Sequence, residues 1–422
     1  MSLLAFFNDS QSITDLPPNI ADEVVQRNLV SIGDSFNVSF CGLLVRGRDL
    51  IVFLPKTVDL TSLTNEEKVK VSSELMRAVS MYGEASKTRV NLSDSYEGIE
   101  GDSQLDLIIS LLRNYQEMGL YTRRRSSKAL NTGKPNWNKT ISTGLSFPNA
   151  KSIPVYLDVI SSKSDFFNDS EVARIQAHII REVDEKYSWI LTGKVDRIAP
   201  ELADVLQPRG DHQYMISKLK RELPLLYSNK EIYLIKLLID YLENVSGSAD
   251  SKMTIGLTKF HFAWEYMLSR VLEDVWSGIN RLLPVPTYRS SQGEYIRAFR
   301  NKMKTDIALR RNYHDVVIVD AKYYEATNIN NTPSWSDIVK QFFYEKSLLA
   351  VNDTYKIKNA FIFPGNKRSF FSIHLGSQEK ADIVYNEKFS PINCYYISPE
   401  DVISHFVNYK KMSKFTDLLF EY

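Results

Sequence analysis

Residues 305–322 read TDIALRRNYHDVVIVDAK and contain the clearest structural pattern in the chain. The apolar run Val316–Val319 is typical of a buried strand, and the polar turn before it predicts a hairpin with a short strand that starts near Asp306. Residues two positions apart on a strand point to the same face, so Asp320 and Lys322 project together. The stretch therefore predicts two carboxylates and one ammonium at one edge of a sheet.

Two neighbouring carboxylates repel each other and favour a hard divalent cation. Mg²⁺ suits them, because it takes oxygen ligands and keeps several waters for a substrate phosphate; we expect Mn²⁺ to substitute for it. The ion polarises the scissile phosphate, and a lysine orients the attacking water or stabilises the developing charge. The residues thus predict phosphodiester hydrolysis, with Asp306 and Asp320 as metal ligands and Lys322 as a catalytic residue.

The acid-x-Lys triplet is common, so it indicates a catalytic site only where the surrounding sequence supports one. Of the triplets in the chain, only Asp320-Ala321-Lys322 follows an apolar strand and has an aspartate one hairpin upstream. The alternative interpretation is a surface salt bridge at a strand end. The other matching triplets are Glu66-Glu67-Lys68, Asp184-Glu185-Lys186 and Asp250-Ser251-Lys252.

Two predicted helices flank this hairpin and supply further candidates. Glu265 is an acid within the apolar helix predicted over 260–275, so it is either a further metal or water ligand or a solvated helix acid. Gln341 lies on a helix predicted over 334–350, with Ser334 as its N-cap. Gln341 and Tyr344 are three positions apart and share a face, from which they can support Lys322 or touch a phosphate. Tyr344 can equally belong to the core.

Composition excludes several classes of protein. The net charge of +1 excludes a polybasic binder, although a local basic groove can still meet DNA. The two cysteines, Cys41 and Cys394, are too few for a four-cysteine zinc site or a disulfide framework. No P-loop is present, so we expect no bound nucleotide. The N-terminus lacks a signal peptide and no apolar stretch is long enough to span a membrane, which predicts a cytoplasmic protein without membrane contact.

The 422 residues suggest two or three domains. We predict an α+β N-terminal domain over 1–150, a helical connecting region over 151–250 and a catalytic domain over 251–422. The linker-like stretch Val245–Ser251 marks the main boundary. Strands that alternate with helices in the last part favour a mixed α/β core, so the fold class is α/β, or α+β multidomain.

A basic run in the N-terminal part is interleaved with one tryptophan. Such a pattern suits a phosphate backbone or a nucleobase, whereas the plain alternative is a solvated loop with one anchoring Trp. The residues are Arg123, Arg124, Arg125, Lys128, Lys134, Trp137 and Lys139.

The segment from Asp306 through VVIVDAKYY resembles the PD-(D/E)xK nuclease core, with Thr305 in place of the proline. The wider pattern resembles the LlaJI family of restriction endonucleases and the related McrC nuclease subunits. The matching pieces are Phe40–Lys56, Gly133–Thr140, the WEYML helix, VDAKYY, the KQFFYE helix and AFIFPG. They spread over most of the chain, and the nuclease motifs are the most specific of them.

This resemblance implies a C-terminal restriction-endonuclease-like mixed sheet flanked by helices, in the nuclease subunit of a bacterial restriction system. It also implies an McrB-like AAA+ GTPase partner, on which the N-terminal part docks, and it leaves residues 123–139 as candidates for contact with DNA or with that partner. A cut through double-stranded DNA needs two sites, so we expect a dimer or a second copy. The alternatives are a non-catalytic adaptor that activates an AAA+ partner, and an RNA or repair nuclease on the same fold.

Overall fold

The computed structural model describes residues 4–31, 36–89, 102–149, 153–167, 170–244, 252–299, 303–380 and 384–421. Contacts divide the chain into two compact units. The first unit contains Met1–Leu105, Trp189–Val195 and Lys252–Tyr422, and the second contains Asp106–Ser188 and Asp196–Ser251. The predicted linker at 245–251 lies outside the described residues. The predicted domain boundaries at residues 150 and 250 stay predictions. The two units defined by contacts have other boundaries, since each unit combines segments that are separated in the sequence.

The described residues form a mixed α/β fold with several sheets, as the alternation of strands and helices predicted. The helices are α1 (Pro18–Gln26), α2 (Asn65–Arg89), α3 (Asp102–Met118), α4 (Trp137–Thr143), α5 (Glu171–Thr192), α6 (His212–Glu222), α7 (Asn229–Asn244), α8 (Phe260–Val271), α9 (Trp335–Val351), α10 (Pro399–Val407) and α11 (Ser413–Phe420). The strands are β1 (Leu4–Asn8), β2 (Val30–Ser31), β3 (Asn37–Val38), β4 (Cys41–Arg46), β5 (Asp49–Leu54), β6 (Arg123–Leu130), β7 (Lys134–Pro135), β8 (Ser146–Pro148), β9 (Pro154–Tyr156), β10 (Ile160–Phe167), β11 (Lys252–Leu257), β12 (Thr287–Arg289), β13 (Tyr295–Arg297), β14 (Ile307–Arg311), β15 (Asp315–Ala321), β16 (Lys356–Pro364), β17 (Ser372–Ile373) and β18 (Ile392–Ile397).

A five-stranded sheet in the first unit has the order β14-β15-β16-β18-β17. β14 and β15 form the predicted antiparallel hairpin, and β15, β16 and β18 run parallel. Both faces of the sheet are covered. On one face, Val316 and Ile318 of β15 and Phe361 and Phe363 of β16 pack against α9. On the other face, Val317, Val319 and Ile362 are buried as well. The continuous apolar runs of β15 and β16 follow from this burial on both faces.

Helix α9 makes the crossover between the parallel strands β15 and β16, and its start is fixed by a capping box. The Ser334 hydroxyl accepts a hydrogen bond from the backbone N–H of Asp337, and the Asp337 carboxylate accepts one from the backbone N–H of Ser334. The predicted N-cap is therefore correct. Helix α2 has a similar box between Thr64 and Glu67, and it continues through Gly83 to Arg89. One glycine costs a helix only about 1 kcal/mol, which packing of its neighbours offsets.

A four-stranded sheet, also in the first unit, has the order β1-β5-β4-β11. β4 and β5 form a hairpin, with Gly47 in its turn at a φ of 59°. β11 pairs antiparallel with β4, and Gly42 lies opposite Gly256. Segments that precede and follow the second unit in the sequence therefore share one sheet.

The second unit contains the three-stranded sheet β6-β10-β7 and most of the helices between α3 and α7. The basic run at 123–139 lies on β6, β7 and the start of α4, so it is not a loop. Its role in contacting DNA or a partner stays a prediction. Pairing with β10 extends along all eight residues of β6 and accounts for the regular structure. Within the described ranges, no helix is both long and apolar enough to cross a membrane.

Candidate active site

The hairpin register brings the two predicted acids together. Ile307 of β14 lies opposite Val319 of β15, so Asp306 and Asp320 occupy the next position of the same ladder. Their carboxyl groups are in hydrogen-bonding contact, and Asp306 also accepts a hydrogen bond from the backbone N–H of Ala321 at 3.2 Å. Asp320 is buried, whereas Asp306 is exposed at the bottom of a concave site. The predicted juxtaposition at a sheet edge is therefore present.

Glu265 reaches the same place from helix α8. Burial raises its pKa to about 8, and the nearby carboxylates of Asp306 and Asp320 contribute to the shift. The pKa of Asp306 is raised to about 7, because surrounding protein withdraws water from it and because Asp320 lies against it. Three carboxyl groups thus share one region, and their mutual repulsion favours bound protons or a cation.

Lys322 lies between two acids. Its Nζ is 2.9 Å from Oδ1 of Asp320 and 2.9 Å from Oδ1 of Asp337. Partial burial lowers the pKa of Lys322, but the two carboxylates outweigh burial and raise it above its ordinary value. The side chain is therefore held as an ammonium in a fixed position. An isolated surface salt bridge does not describe it, since the three side chains are largely buried.

Asp337 is a site residue whose contact with Lys322 the sequence analysis missed. It is the third residue of the capping box that Ser334 begins, and its second oxygen binds Lys322. Its carboxylate also accepts a hydrogen bond from the Ser334 hydroxyl at 2.7 Å. Burial acts to raise the pKa of Asp337, but these donors outweigh it and lower the pKa. The capping box is visible in the sequence and places Asp337 in the first turn of the helix. It does not show that the second oxygen of Asp337 contacts Lys322.

Gln341 and Tyr344 occupy one face of α9, as their spacing predicted. Gln341 is buried, and its Oε1 has no hydrogen-bond partner among the described residues. The Tyr344 hydroxyl donates to the backbone carbonyl of Lys304 at 2.7 Å, two residues before Asp306. Tyr344 therefore fixes the entry to β14, and the predicted support of Lys322 by Gln341 stays a prediction.

These groups line a cavity of about 1000 Å³ in the first unit. Its wall contains Glu265, Asp306, Asp320, Lys322 and Tyr344, together with residues from the N-terminal sheet. The other lysines on its wall are Lys56, Lys259, Lys304 and Lys340. The cavity thus combines a small acidic centre with a surrounding ring of ammonium groups, which suits a phosphate-containing ligand.

The residues present fit a hard divalent cation. Among the described residues, no group of three or more His, Cys, Asp or Glu is placed to hold a metal ion. Mg²⁺ does not require such a cage, since it is usually bound by one or two carboxylates, with waters and substrate oxygens as the other ligands. The paired carboxyls of Asp306 and Asp320 supply that donor set, and Glu265 stands next to it.

The basic run lies in the second unit and is described separately. Lys128, Lys134, Lys139 and Trp137 are exposed, and Trp137 has 54% of its surface open. The amino groups of Lys128 and Lys139 are in contact, which lowers the pKa of Lys139. The side chains of Arg123, Arg124 and Arg125 on β6 lie outside the described part of the structure.

Comparison with known proteins places the chain in a family. The model of the family "LlaJI restriction endonuclease" matches residues 40–398. The type II restriction enzyme BsuMI component YdjA of Bacillus subtilis (strain 168) is 23% identical over 399 residues, which is 91% of this chain and 83% of that protein.

Two solved assemblies from Thermococcus gammatolerans are also similar. One is a half-complex from a tetradecameric assembly of McrB AAA+ hexamers with bound McrC, at a TM-score of 0.42 and 12% identity, covering 97% of this chain and 99% of that one. The other is the McrBC complex, at a TM-score of 0.27 and 10% identity, covering 63% and 85%. Since the family model spans most of the sequence, the chain belongs to the LlaJI restriction endonuclease family.

Proposed function

We propose that this chain is the nuclease subunit of a bacterial restriction system and that it hydrolyses phosphodiester bonds of double-stranded DNA with the help of Mg²⁺. The observation that carries the proposal is the contact of Asp306 with Asp320, beside the ammonium of Lys322, in one large cavity. This grouping of two acids and a lysine supports the proposal of a PD-(D/E)xK site.

Each residue has a defined role in the proposal. Asp306 and Asp320 would hold the cation, which when bound polarises the scissile phosphate and acidifies water. Lys322 remains an ammonium between Asp320 and Asp337, so it can donate hydrogen bonds to the attacking water or to a phosphate oxygen. Glu265 carries a proton near neutral pH in the metal-free protein and can exchange hydrogen bonds with water at the same place.

A partner subunit is the second part of the proposal. The resemblance to McrC-type subunits supports an McrB-like AAA+ GTPase that recruits or licenses the nuclease. We propose the exposed surface that contains Lys128, Trp137 and Lys139 as a contact for this partner or for DNA. A double-strand cut further requires two active sites, and thus two copies of the chain.

The deciding experiment is plasmid cleavage in Mg²⁺ by the wild type and by Asp320→Ala, each with and without the AAA+ protein and GTP. Several kcal/mol of transition-state stabilisation depend on the cation, so we expect the substitution to slow cleavage at least about a hundredfold. Asp315→Asn, at the other end of β15, is the matched control and should cut like the wild type.

Three other outcomes would redirect the assignment. No cleavage by either the wild type or Asp320→Ala, with GTP turnover still stimulated, would show an adaptor instead of a nuclease. Cleavage confined to an RNA substrate would move the activity to RNA. Equal cleavage with both variants would place the chemistry elsewhere in the chain.

A further inference from the structure

Tyr323 connects the catalytic strand to the N-terminal sheet. It directly follows Lys322, and its ring packs against Phe260 at a centroid distance of 5.2 Å. Its hydroxyl is hydrogen-bonded to Asp9, accepts from the backbone N–H of Lys56 at 3.4 Å and lies 3.5 Å from Sγ of Cys41. Residues from β4 and from the ends of β1 and β5 are thereby fixed beside the catalytic lysine.

Lys56 extends from this junction into the catalytic cavity. It is the residue after Pro55, at the end of β5, and its Nζ lies 4.4 Å from the centroid of the Tyr323 ring. The side chain is half-buried and lines the same cavity as Asp306, Asp320 and Lys322. A position over an aromatic ring orients an ammonium without neutralising it.

The ammonium of Lys56 has no anionic partner in the described part of the chain. No carboxylate oxygen of a described residue lies within 4 Å of it, although Asp9 is near enough to act through space. Burial lowers the pKa of Lys56, and Asp9 offsets this only in part. A half-buried ammonium without an ion pair is costly unless a ligand supplies the missing anion.

The neighbourhood of Lys56 is positively charged as well. Lys259 lines the same cavity and adds a second ammonium group. His261 lies beside them, and burial together with the charges of Lys259 and Lys56 lowers its pKa, which favours the neutral imidazole. This wall attracts an anion, whereas the centre formed by Asp306 and Asp320 attracts a cation. A phosphodiester chain with a metal ion satisfies both parts of the cavity at once.

We infer that Lys56 binds a backbone phosphate of the DNA strand, next to the phosphate that is cut. The N-terminal sheet then supplies part of the substrate site, and Tyr323 sets the distance between this contact and Lys322. The inference rests on the proposed function, because it takes DNA as the ligand. Since a phosphate contact is independent of sequence, it contributes affinity and register but no base preference.

The test is duplex binding in the Asp320→Ala background, so that DNA is bound but not cut. Fluorescence anisotropy over a series of salt concentrations gives both affinity and its salt dependence. We expect Lys56→Met to weaken binding about tenfold, as for the loss of one charge-assisted hydrogen bond. The slope of log K against log salt should fall by about 0.9, the contribution of one phosphate. Lys56→Arg should retain the slope.

Lys414→Met is the matched control, since Lys414 is exposed on α11 and does not line the cavity. An unchanged affinity and slope for Lys56→Met would overturn the inference, even if the wild type cuts DNA. Failure of the parent protein to bind any duplex, both alone and with the AAA+ protein and GTP, would overturn both the inference and the proposed function. If the melting temperature shows that Lys56→Met is unfolded, Lys56→Gln is measured in its place. The same fall in the slope of log K against log salt is expected for it.

Discussion

Lys322 and Asp337 form an ion pair across the start of helix α9, with Nζ and Oδ1 2.9 Å apart. The other oxygen of the same carboxylate closes the capping box with Ser334. The position of the Lys322 ammonium is therefore fixed by the first turn of a helix. We regard Asp337 as a positioning residue, because it acts through Lys322.

Asp337→Asn should lower the rate of DNA cleavage about tenfold, since Lys322 keeps its contact with Asp320 but loses the second charge that orients it. KM should change little, because Asp337 is not proposed to touch DNA. Ser334→Ala is the control: it removes a cap worth about 1 kcal/mol but keeps the ion pair. If both variants lose stability equally and cut equally fast, the ion pair has no role in the chemistry.

Divalent cations should stabilise the folded protein through Asp306 and Asp320. Without a cation the two carboxyls repel each other, and a ligand that binds only the native state raises the melting temperature. We expect Mg²⁺, or Ca²⁺ as a probe, to raise the melting temperature of the wild type measured by calorimetry. Asp320→Asn should abolish that rise. An equal rise in Asp320→Asn would mean that the cation binds elsewhere.

The buried carboxyl of Asp9 should make stability depend on pH. Burial raises the pKa of Asp9, although the charges and hydrogen bonds around it partly oppose the shift. A folded-state pKa above the unfolded value means that folding favours the protonated form, so stability is fully present below about pH 4 and declines as the pH rises from there towards the folded-state pKa. Asp9→Asn should make this decline smaller but not abolish it, because Glu265 and Asp306 also have raised pKa values in this range. Urea unfolding at pH 4 and pH 8 measures it, and a pH-independent difference between the two proteins would contradict it.

Gly256 should be intolerant of a side chain. A Cβ at this position would lie 2.3 Å from the backbone oxygen of Cys41 and 2.8 Å from Cα of Gly42. Gly256→Ala should therefore destabilise the fold by about 1–3 kcal/mol, the usual range for overpacking. Gly278→Ala is a suitable comparison, because its closest neighbour would be the Trp276 side chain at 3.3 Å. Similar denaturation curves for the two variants would show that β11 moves away easily.

The paired lysines of the second unit should matter for the partner. Because Lys128 and Lys139 repel each other in the free protein, an anionic surface that separates or neutralises them gains free energy. The double substitution Lys128→Ser with Lys139→Ser should reduce stimulation of the AAA+ GTPase several-fold. Loss of DNA binding with unchanged GTPase stimulation would assign this surface to DNA.

Local patterns predicted much of the catalytic sheet. The apolar run before Asp320, the hairpin turn and the cap at Ser334 are properties of short segments, and each is present in the structure. The grouping of Asp306, Asp320 and Lys322 was also readable, because it depends only on strand periodicity and on one short hairpin.

Contacts between distant segments could not be predicted in this way. Asp337 reaches Lys322 only because α9 crosses back over the sheet, and Lys56 enters the cavity only because Tyr323 packs on the N-terminal strands. The pairing of β11 with β4 likewise joins segments far apart in sequence. None of these contacts has a local period or spacing from which it could be read.

Because β11 pairs with β4, the four-stranded sheet can be completed only after β11 has been synthesised. The ribosome releases β1, β4 and β5 long before it reaches Leu257, and until then β4 presents an unpaired apolar edge. Such an edge can pair with a strand of another chain. A nascent polypeptide that stops within the second unit therefore cannot finish its first sheet, and we expect such fragments to aggregate.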